Sequence, residues 1–280
     1  MKVLLLGDTG SLGKQFKALF VKKKIKFLSV NRKKFKNINY SLLKSLSLSY
    51  KPNFIINCVA LTGLIFCENK KKEAYKINTT LPQSILKIIK NKNIKFLHFS
   101  TEAVFEGNKK NKVYSELDKP KPNTIYGKSK FEADKKILKQ KNTLIIRLPL
   151  LFGPTHKNQI VDRLLKMVKK GRKIYVADDV YSTPIYTPEL CKFIYSNFMK
   201  QNKPFKFKLV HLTGSKLLSM YELIFNLSKN IKRVDTDQIM KVKDVFFETG
   251  IKVKPKNLGL TSQHKNCIKK IKYNVGKYLV

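Results

Sequence analysis

The chain has 280 residues and carries 59 Lys and Arg against 18 Asp and Glu, a formal net charge of +41; this length buries one nucleotide-binding unit with a modest appended lobe and requires no third domain. No run of ~18 apolar residues occurs and a predicted strand begins at once, so neither a membrane span nor a signal peptide is expected, and the cytoplasm is the expected location. Lys is spread along every segment while Arg is confined to Arg32, Arg147, Arg163, Arg172 and Arg233, which argues against a dedicated nucleic-acid reader, where Arg and aromatic residues would gather in one groove.

Lys2-Val-Leu-Leu-Leu-Gly7 reads as a short buried strand. Gly7-Asp-Thr-Gly10-Ser-Leu-Gly13 follows directly and opens an amphipathic stretch reaching Lys22. In such a strand, glycine turn and helix, Gly7 permits the tight turn, Gly10 lets a pyrophosphate approach the backbone, and Gly13 lets the helix pack close to the strand. Only 12 Gly occur in the chain and three fall on this junction. That favours nucleotide binding over a merely flexible turn and makes Gly7, Gly10, Ser11, Leu12 and Gly13 candidate cofactor residues. The next apolar run, Ile25–Val30, ends at Asn31-Arg32-Lys33-Lys34, where an NAD site would present an acid to the ribose 2′-hydroxyl. No acid stands there, and Arg32, beside Asn31, can clamp a 2′-phosphate. NADP(H) is therefore expected in preference to NAD(H), which remains an alternative.

Helices are predicted near 13–22, 40–49, 76–91, 123–141 and 158–170, with strands at Phe54–Asn57, Ile94–Phe99 and Thr143–Arg147 between them. Strand alternating with helix predicts an α/β fold, a doubly wound parallel sheet of Rossmann type, with ligands beyond the strand C-termini. Residues 1–150 are the expected NAD(P)-binding domain. Over 151–280 the pattern loosens into a smaller C-terminal substrate-binding lobe, from which Val210-His-Leu-Thr-Gly214 returns a strand to the sheet near 208–213.

Tyr126-Gly-Lys-Ser-Lys130 lies 25 residues after Ser100-Thr101. Tyr126 and Lys130, four apart, share one helix face, and the cation favours the phenolate of a phenol whose ordinary pKa is ~10. Thr101 can hydrogen-bond the same substrate oxygen as charge develops on it. A Tyr-x-x-x-Lys arises easily by chance among 12 Tyr and abundant Lys, so position decides: Thr101, Asn57 and the glycine turn all fall at strand C-termini and converge with Tyr126 on one crevice. Cys58, Cys67, Cys191 and Cys267 lack C-x-x-C spacing and the four His are scattered, so no metal site is expected.

With these residues in place, the chain resembles the extended short-chain dehydrogenases/reductases, in the branch of dTDP-4-dehydrorhamnose reductase and its sugar-nucleotide relatives. The resemblance rests on the G-x-x-G-x-x-G turn, on Ser100-Thr-Glu-Ala-Val-Phe-Glu-Gly107, on Tyr114-Ser-Glu-Leu-Asp118 and Pro122, and on Tyr126-Gly-Lys-Ser-Lys130. It continues through Leu151-Phe-Gly-Pro154, Asp178-Asp179, Ser182-Thr-Pro184, Tyr186-Thr-Pro188 and Lys254-Pro-Lys-Asn257-Leu. It implies NADPH-dependent reduction of a 4-keto group on a nucleotide-activated deoxysugar for surface polysaccharide precursors. Tyr126 would protonate the oxygen, Lys130 would hold the nicotinamide ribose, and Thr101 would polarise the carbonyl. It adds Asn57 and Ala60 to the cofactor side, and places Thr62, Glu102, Ala103, Leu150 and Asn158 beside the sugar. A homodimer is compatible with it. The sugar side departs from the family pattern: Ala103 replaces an aromatic residue, Glu102 an Asp, Leu150 a Trp, and Thr62-Gly-Leu-Ile65 a Thr-x-Val-Asp. An epimerase or dehydratase on the same scaffold, with Glu102 as an added acid, and a non-catalytic NADP-binding regulatory subunit are the alternatives.

Overall fold

The structure, a computed structural model, describes residues 1–31, 40–108, 113–154, 159–200, 203–232, 234–244 and 255–270. Its centre is a sheet of six parallel strands: β1 (Lys2–Leu6), β2 (Lys26–Val30), β3 (Phe54–Asn57), β4 (Lys95–Thr101), β5 (Thr143–Leu148) and β6 (Leu209–His211). Their spatial order is β6-β5-β4-β3-β1-β2. The direction of winding reverses between β1 and β3, and a crevice opens there beyond the strand C-termini. β3, β4 and β5 are buried at every position, as strands covered by helices on both faces must be.

Alternate side chains feed two cores, because successive residues of a strand point to opposite faces. Val3, Leu5, Phe54 and Ile56 meet Leu12, Phe16, Leu19 and Phe20 of α1 (Ser11–Lys22) on one face. Leu4, Leu6 and Ile55 meet Leu43 of α2 (Tyr40–Tyr50) on the other. The chain after β3 passes through α3 (Leu64–Asn69) and α4 (Lys71–Tyr75) into α5 (Leu81–Ile89), and after β4 it forms α6 (Ile125–Ile137). Ile85 and Ile89 of α5, with Ala133 and Ile137 of α6, complete the second core. Each fully buried Phe, Leu or Ile contributes about 1.5–3 kcal/mol through removal from water.

The uninterrupted helix predicted over 76–91 is instead broken by a π turn at Lys76–Thr80. Pro82 has no N–H to give the carbonyl four residues back, and widening the preceding turn accommodates that loss. After β5, α7 (Ile160–Lys169) packs with α9 (Met220–Ser228) over the parallel pair Ile174–Ala177 and Ile239–Val242, around Phe152, Leu165, Val176 and Leu223. Between them α8 (Thr187–Ile194), in the stretch where the sequence pattern loosens, lays Leu190 and Ile194 on the α1 face of the sheet. The second half of the chain thus supplies both a lobe with its own core and two pieces of the layer built on the six-stranded sheet, α8 and β6. Among the described residues no helix is long and apolar enough to cross a membrane, and no cluster of His, Cys, Asp and Glu could hold a metal ion.

Candidate active site

The chain leaves β1 through Gly7, with φ +87°. A Cβ on Gly13 would collide with the carbonyl oxygen of Gly7, so only glycine lets α1 start hard against the end of β1. The N-cap, Gly10, offers no side-chain cap and the first turn of α1 holds no acid. Ser11 Oγ is buried with no hydrogen-bond partner among the described residues. Uncapped amides at the positive end of a helix, with an unclaimed hydroxyl beside them, fit the phosphate oxygens of a dinucleotide. Gly13→Ala is expected to cost about 1–3 kcal/mol of stability through overpacking and to weaken dinucleotide binding about tenfold or more; thermal unfolding and fluorescence titration with NADPH check both. Asp8, not signalled by the motif, is 7% exposed and accepts hydrogen bonds from Lys17 Nζ at 3.2 Å and Ser29 Oγ at 3.0 Å. It ties the turn to β2 just before Asn31. Arg32 and Asn158 lie outside the described residues.

Thr101 is the last residue of β4 and Tyr126 stands in the first turn of α6. What brings them together is Gly127, where any Cβ would strike the carbonyl oxygen of Ala103; α6 can therefore start against the turn Glu102–Val104 that follows β4. Thr124 caps this helix by accepting the Gly127 N–H at 3.2 Å, and Glu68 accepts the Ile125 N–H at 2.8 Å. Thr101 Oγ1 accepts the Ala103 N–H at 3.2 Å, and its hydroxyl acts on the Tyr126 phenol in the direction that favours the phenolate. Burial pushes that phenol up to about 12, with Thr101 opposing the shift.

The expectation that Lys130 lowers the Tyr126 pKa is corrected here. Lys130 is 2% exposed, and its Nζ donates to Phe99 O and lies 3.2 Å from His98 Nε2. With Nζ turned toward β4, desolvation dominates the phenol, which is held protonated. Lys130 is itself brought down to about 8 by burial, against the pull of Asp134. Asn57, at the end of β3, is 1% exposed. Its side chain is taken up by the Val59 N–H at 3.0 Å and by His98 Nδ1 at 3.3 Å, so it shapes the crevice floor from beneath. Ala60 and Thr62 are exposed on the loop beyond β3.

Asn78 holds that loop, and no motif announces it. From the π turn its Oδ1 accepts the Leu61 N–H at 2.9 Å, while its Nδ2 donates to Leu61 O and to Ser129 Oγ, each at 3.0 Å. On the opposite wall, Glu102 accepts from Ser182 Oγ at 2.7 Å, and Ser182 Oγ accepts the Leu150 N–H at 3.2 Å. Burial pushes the Glu102 carboxyl up to about 8 against these hydrogen bonds. Ala103 is buried and Leu150 half-buried.

A family model, the RmlD substrate binding domain, matches residues 1–257. The chain belongs to the RmlD family. Over 225 residues it is 28% identical to a dTDP-4-dehydrorhamnose reductase of Aggregatibacter actinomycetemcomitans, covering 79% of this chain and 76% of that one. It is also 28% identical over 228 residues to the spore coat polysaccharide biosynthesis protein SpsK of Bacillus subtilis (strain 168), with 79% and 76% covered. The fold matches that of a dTDP-4-dehydrorhamnose reductase of Bacillus anthracis str. Ames solved in complex with NADP, with a TM-score of 0.83, 22% identity, and 93% and 90% of the two chains covered.

The remaining RmlD landmarks are mostly braces. Glu116, within Tyr114–Asp118, accepts the His211 N–H at 2.8 Å, Ser262 Oγ at 2.6 Å and the Gln263 N–H at 3.0 Å. Asp178 and Asp179 hold Lys243 and Lys256 at 3.0 and 2.7 Å. Thr187 gives its hydroxyl to Phe152 O at 2.9 Å. Among the described residues of these blocks, Ser182 reaches the Glu102–Val104 turn through Glu102.

Proposed function

We propose that the protein is an NADPH-dependent reductase of a 4-keto group on a nucleotide-activated deoxysugar, serving the synthesis of a surface polysaccharide precursor. The observation that carries this reading is the placement of Thr101 at the C-terminal end of β4, with Tyr126 in the first turn of the helix that Gly127 seats against the Ala103 carbonyl and Lys130 buried one turn on. A reduced nicotinamide, when bound, supplies hydride to the carbonyl carbon. Thr101 and Tyr126 fix the carbonyl oxygen by hydrogen bonds, and the Tyr126 phenol gives it a proton as negative charge develops there. The carbonyl becomes an alcohol with one hydride and one proton gained. Thr101 then stabilises the phenolate that remains by donating its own O–H, the direction in which it already shifts the phenol. Gly7, Gly10 and Gly13 with Ser11 and Leu12 receive the dinucleotide phosphates, and Asn31 and Arg32 follow at the end of β2 where a 2′-phosphate is read. The names of the RmlD relatives support the substrate class, and the NADP complex of one structural neighbour supports the cofactor.

A dehydratase needs an acid and a base in addition to the Tyr. Glu102, whose carboxyl burial pushes up to about 8, offers an acid, but its neighbour Ala103 offers no base. The decisive assay mixes protein, NADPH or NADH, and a panel of nucleotide 4-keto-6-deoxysugars, and follows reduced-nicotinamide absorbance. Stoichiometric consumption with one sugar, faster with NADPH, is expected. Turnover of sugar with no net cofactor consumed would instead establish an epimerase or dehydratase.

A further inference from the structure

β3 and β4 run in parallel register with Asn57 opposite His98, and this places a short chain of buried polar groups beneath Lys130. Asn57 Oδ1 accepts the Val59 N–H at 3.0 Å, which fixes the orientation of the amide. Its NH2 group is therefore the part that faces His98 Nδ1 at 3.3 Å. An amide NH2 only donates, so Nδ1 accepts. Burial holds His98 well below its ordinary pKa, so the ring carries a single proton, and that proton must sit on Nε2. Nε2 lies 3.2 Å from Lys130 Nζ, which donates to Phe99 O. An ammonium has no lone pair with which to accept the Nε2–H. Every donor from Val59 to Phe99 is matched only if Lys130 is a neutral amine, donating to Phe99 O and accepting from His98.

We propose that His98 is a positioning residue that holds Lys130 as a neutral amine, so that binding of a nicotinamide dinucleotide is coupled to the uptake of one proton. The coupling rests on the reading that Lys130 holds the nicotinamide ribose as an ammonium. The groups packed around Lys130 are few. Asp134, one turn on along α6, favours the charge but shares its carboxylate with Arg147 of β5 and Ser100 of β4. Cys58, beyond β3, is held as a thiol by burial, and Tyr126 of α6 stays a phenol. Burial brings the Lys130 ammonium down to about 8, and an N–H aimed at its nitrogen lowers it further. The sign follows from linkage. A site neutral when free and charged when bound loses affinity as pH rises between its free and bound pKa values, by about tenfold per pH unit for one proton.

The test measures NADPH dissociation constants from pH 6.5 to 9.5 by fluorescence titration, for the wild type, His98→Gln and His98→Phe. The wild-type constant is expected to climb about tenfold per unit above pH 8. In His98→Gln the side-chain carbonyl can accept from an ammonium, so the climb starts at least about one unit higher. His98→Phe removes the ring N–H without replacing it and shifts the onset in the same direction, which keeps the test alive if one variant fails to fold. A merely structural role for His98 would weaken binding by the same factor at every pH. That outcome, or a flat wild-type profile, overturns the proposal. The 15N resonance of Lys130 Nζ, titrated without cofactor, reads the same amine independently. It should titrate below the ordinary ~10.4 and move up in His98→Gln; an ordinary value in the wild type also overturns the proposal. If NADPH fails to bind at any pH while Lys130 titrates low, the cofactor reading fails and the assignment of His98 stands.

Discussion

Tyr126→Phe is expected to lower turnover by about two to four orders of magnitude, the usual worth of a positioned general acid, while leaving NADPH affinity nearly unchanged. The ring stays packed against Leu61, Cys67 and Ala74, so the substitution removes one hydroxyl and leaves the wall of the crevice in place. Only the interaction with the Thr101 hydroxyl and the transferable proton are lost. The effect should fall on kcat, because the proton is needed most when negative charge has formed on the oxygen. Stopped-flow reduction with saturating NADPH measures it, and circular dichroism checks the fold. Undiminished turnover would remove Tyr126 from the chemistry and leave Thr101 or Glu102 as the proton source.

The largest loss of stability is expected at Arg147. Its side chain is 2% exposed, its Nε lies 3.2 Å from Asp134 Oδ2, and its guanidinium sits 5.4 Å from the centre of the Phe105 ring. Ser100 Oγ donates to the same carboxylate oxygen at 2.9 Å. Burial pushes the Asp134 carboxyl above its ordinary range, and Arg147 pulls it back. Arg147→Met leaves that carboxylate without its main partner and should cost about 3–5 kcal/mol. The double change Arg147→Met with Asp134→Leu should recover much of this, since a buried pair is often no more stable than apolar residues of similar volume. Urea unfolding of the two variants separates the cases. A single-variant loss under about 1 kcal/mol would mean that Asp134 is already protonated and that the pair is not ionic.

The nucleotide-binding layer was legible because its signals are local. Four buried residues running into Gly7, and apolar strands recurring between helical stretches, need no knowledge of what packs on them. Thr101, Tyr126 and Lys130 could be placed together because a parallel sheet sends every strand C-terminus to one edge. What stayed hidden depends on pairs distant in sequence. Gly127 looks like any helix glycine until Ala103 is set against it, and the partnership of Asn57 with His98 exists only once β3 and β4 are in register. The Tyr126 pKa was misjudged for the same reason. Spacing along the helix puts Lys130 on the right face, but the acceptors that draw Nζ away, Phe99 O and His98, lie on another strand. Pro82 was visible, yet its consequence, a π turn that lets Asn78 hold the Leu61 loop, was not. α8 escaped because the proline-marked loop just before it dominates the local pattern.

The last strand to join the sheet, β6, has a consequence for how the molecule is made. During synthesis the ribosome finishes β5 more than 60 residues before it finishes β6. Through that interval the nascent chain carries an open edge on β5, a strand buried at every position in the finished sheet, and the α1 face beside it waits for Leu190 and Ile194. Such an edge is the kind that recruits neighbouring chains. The first half of the polypeptide therefore does not mature on its own. The sheet is completed only once His211 has been made and β6 can pair with β5.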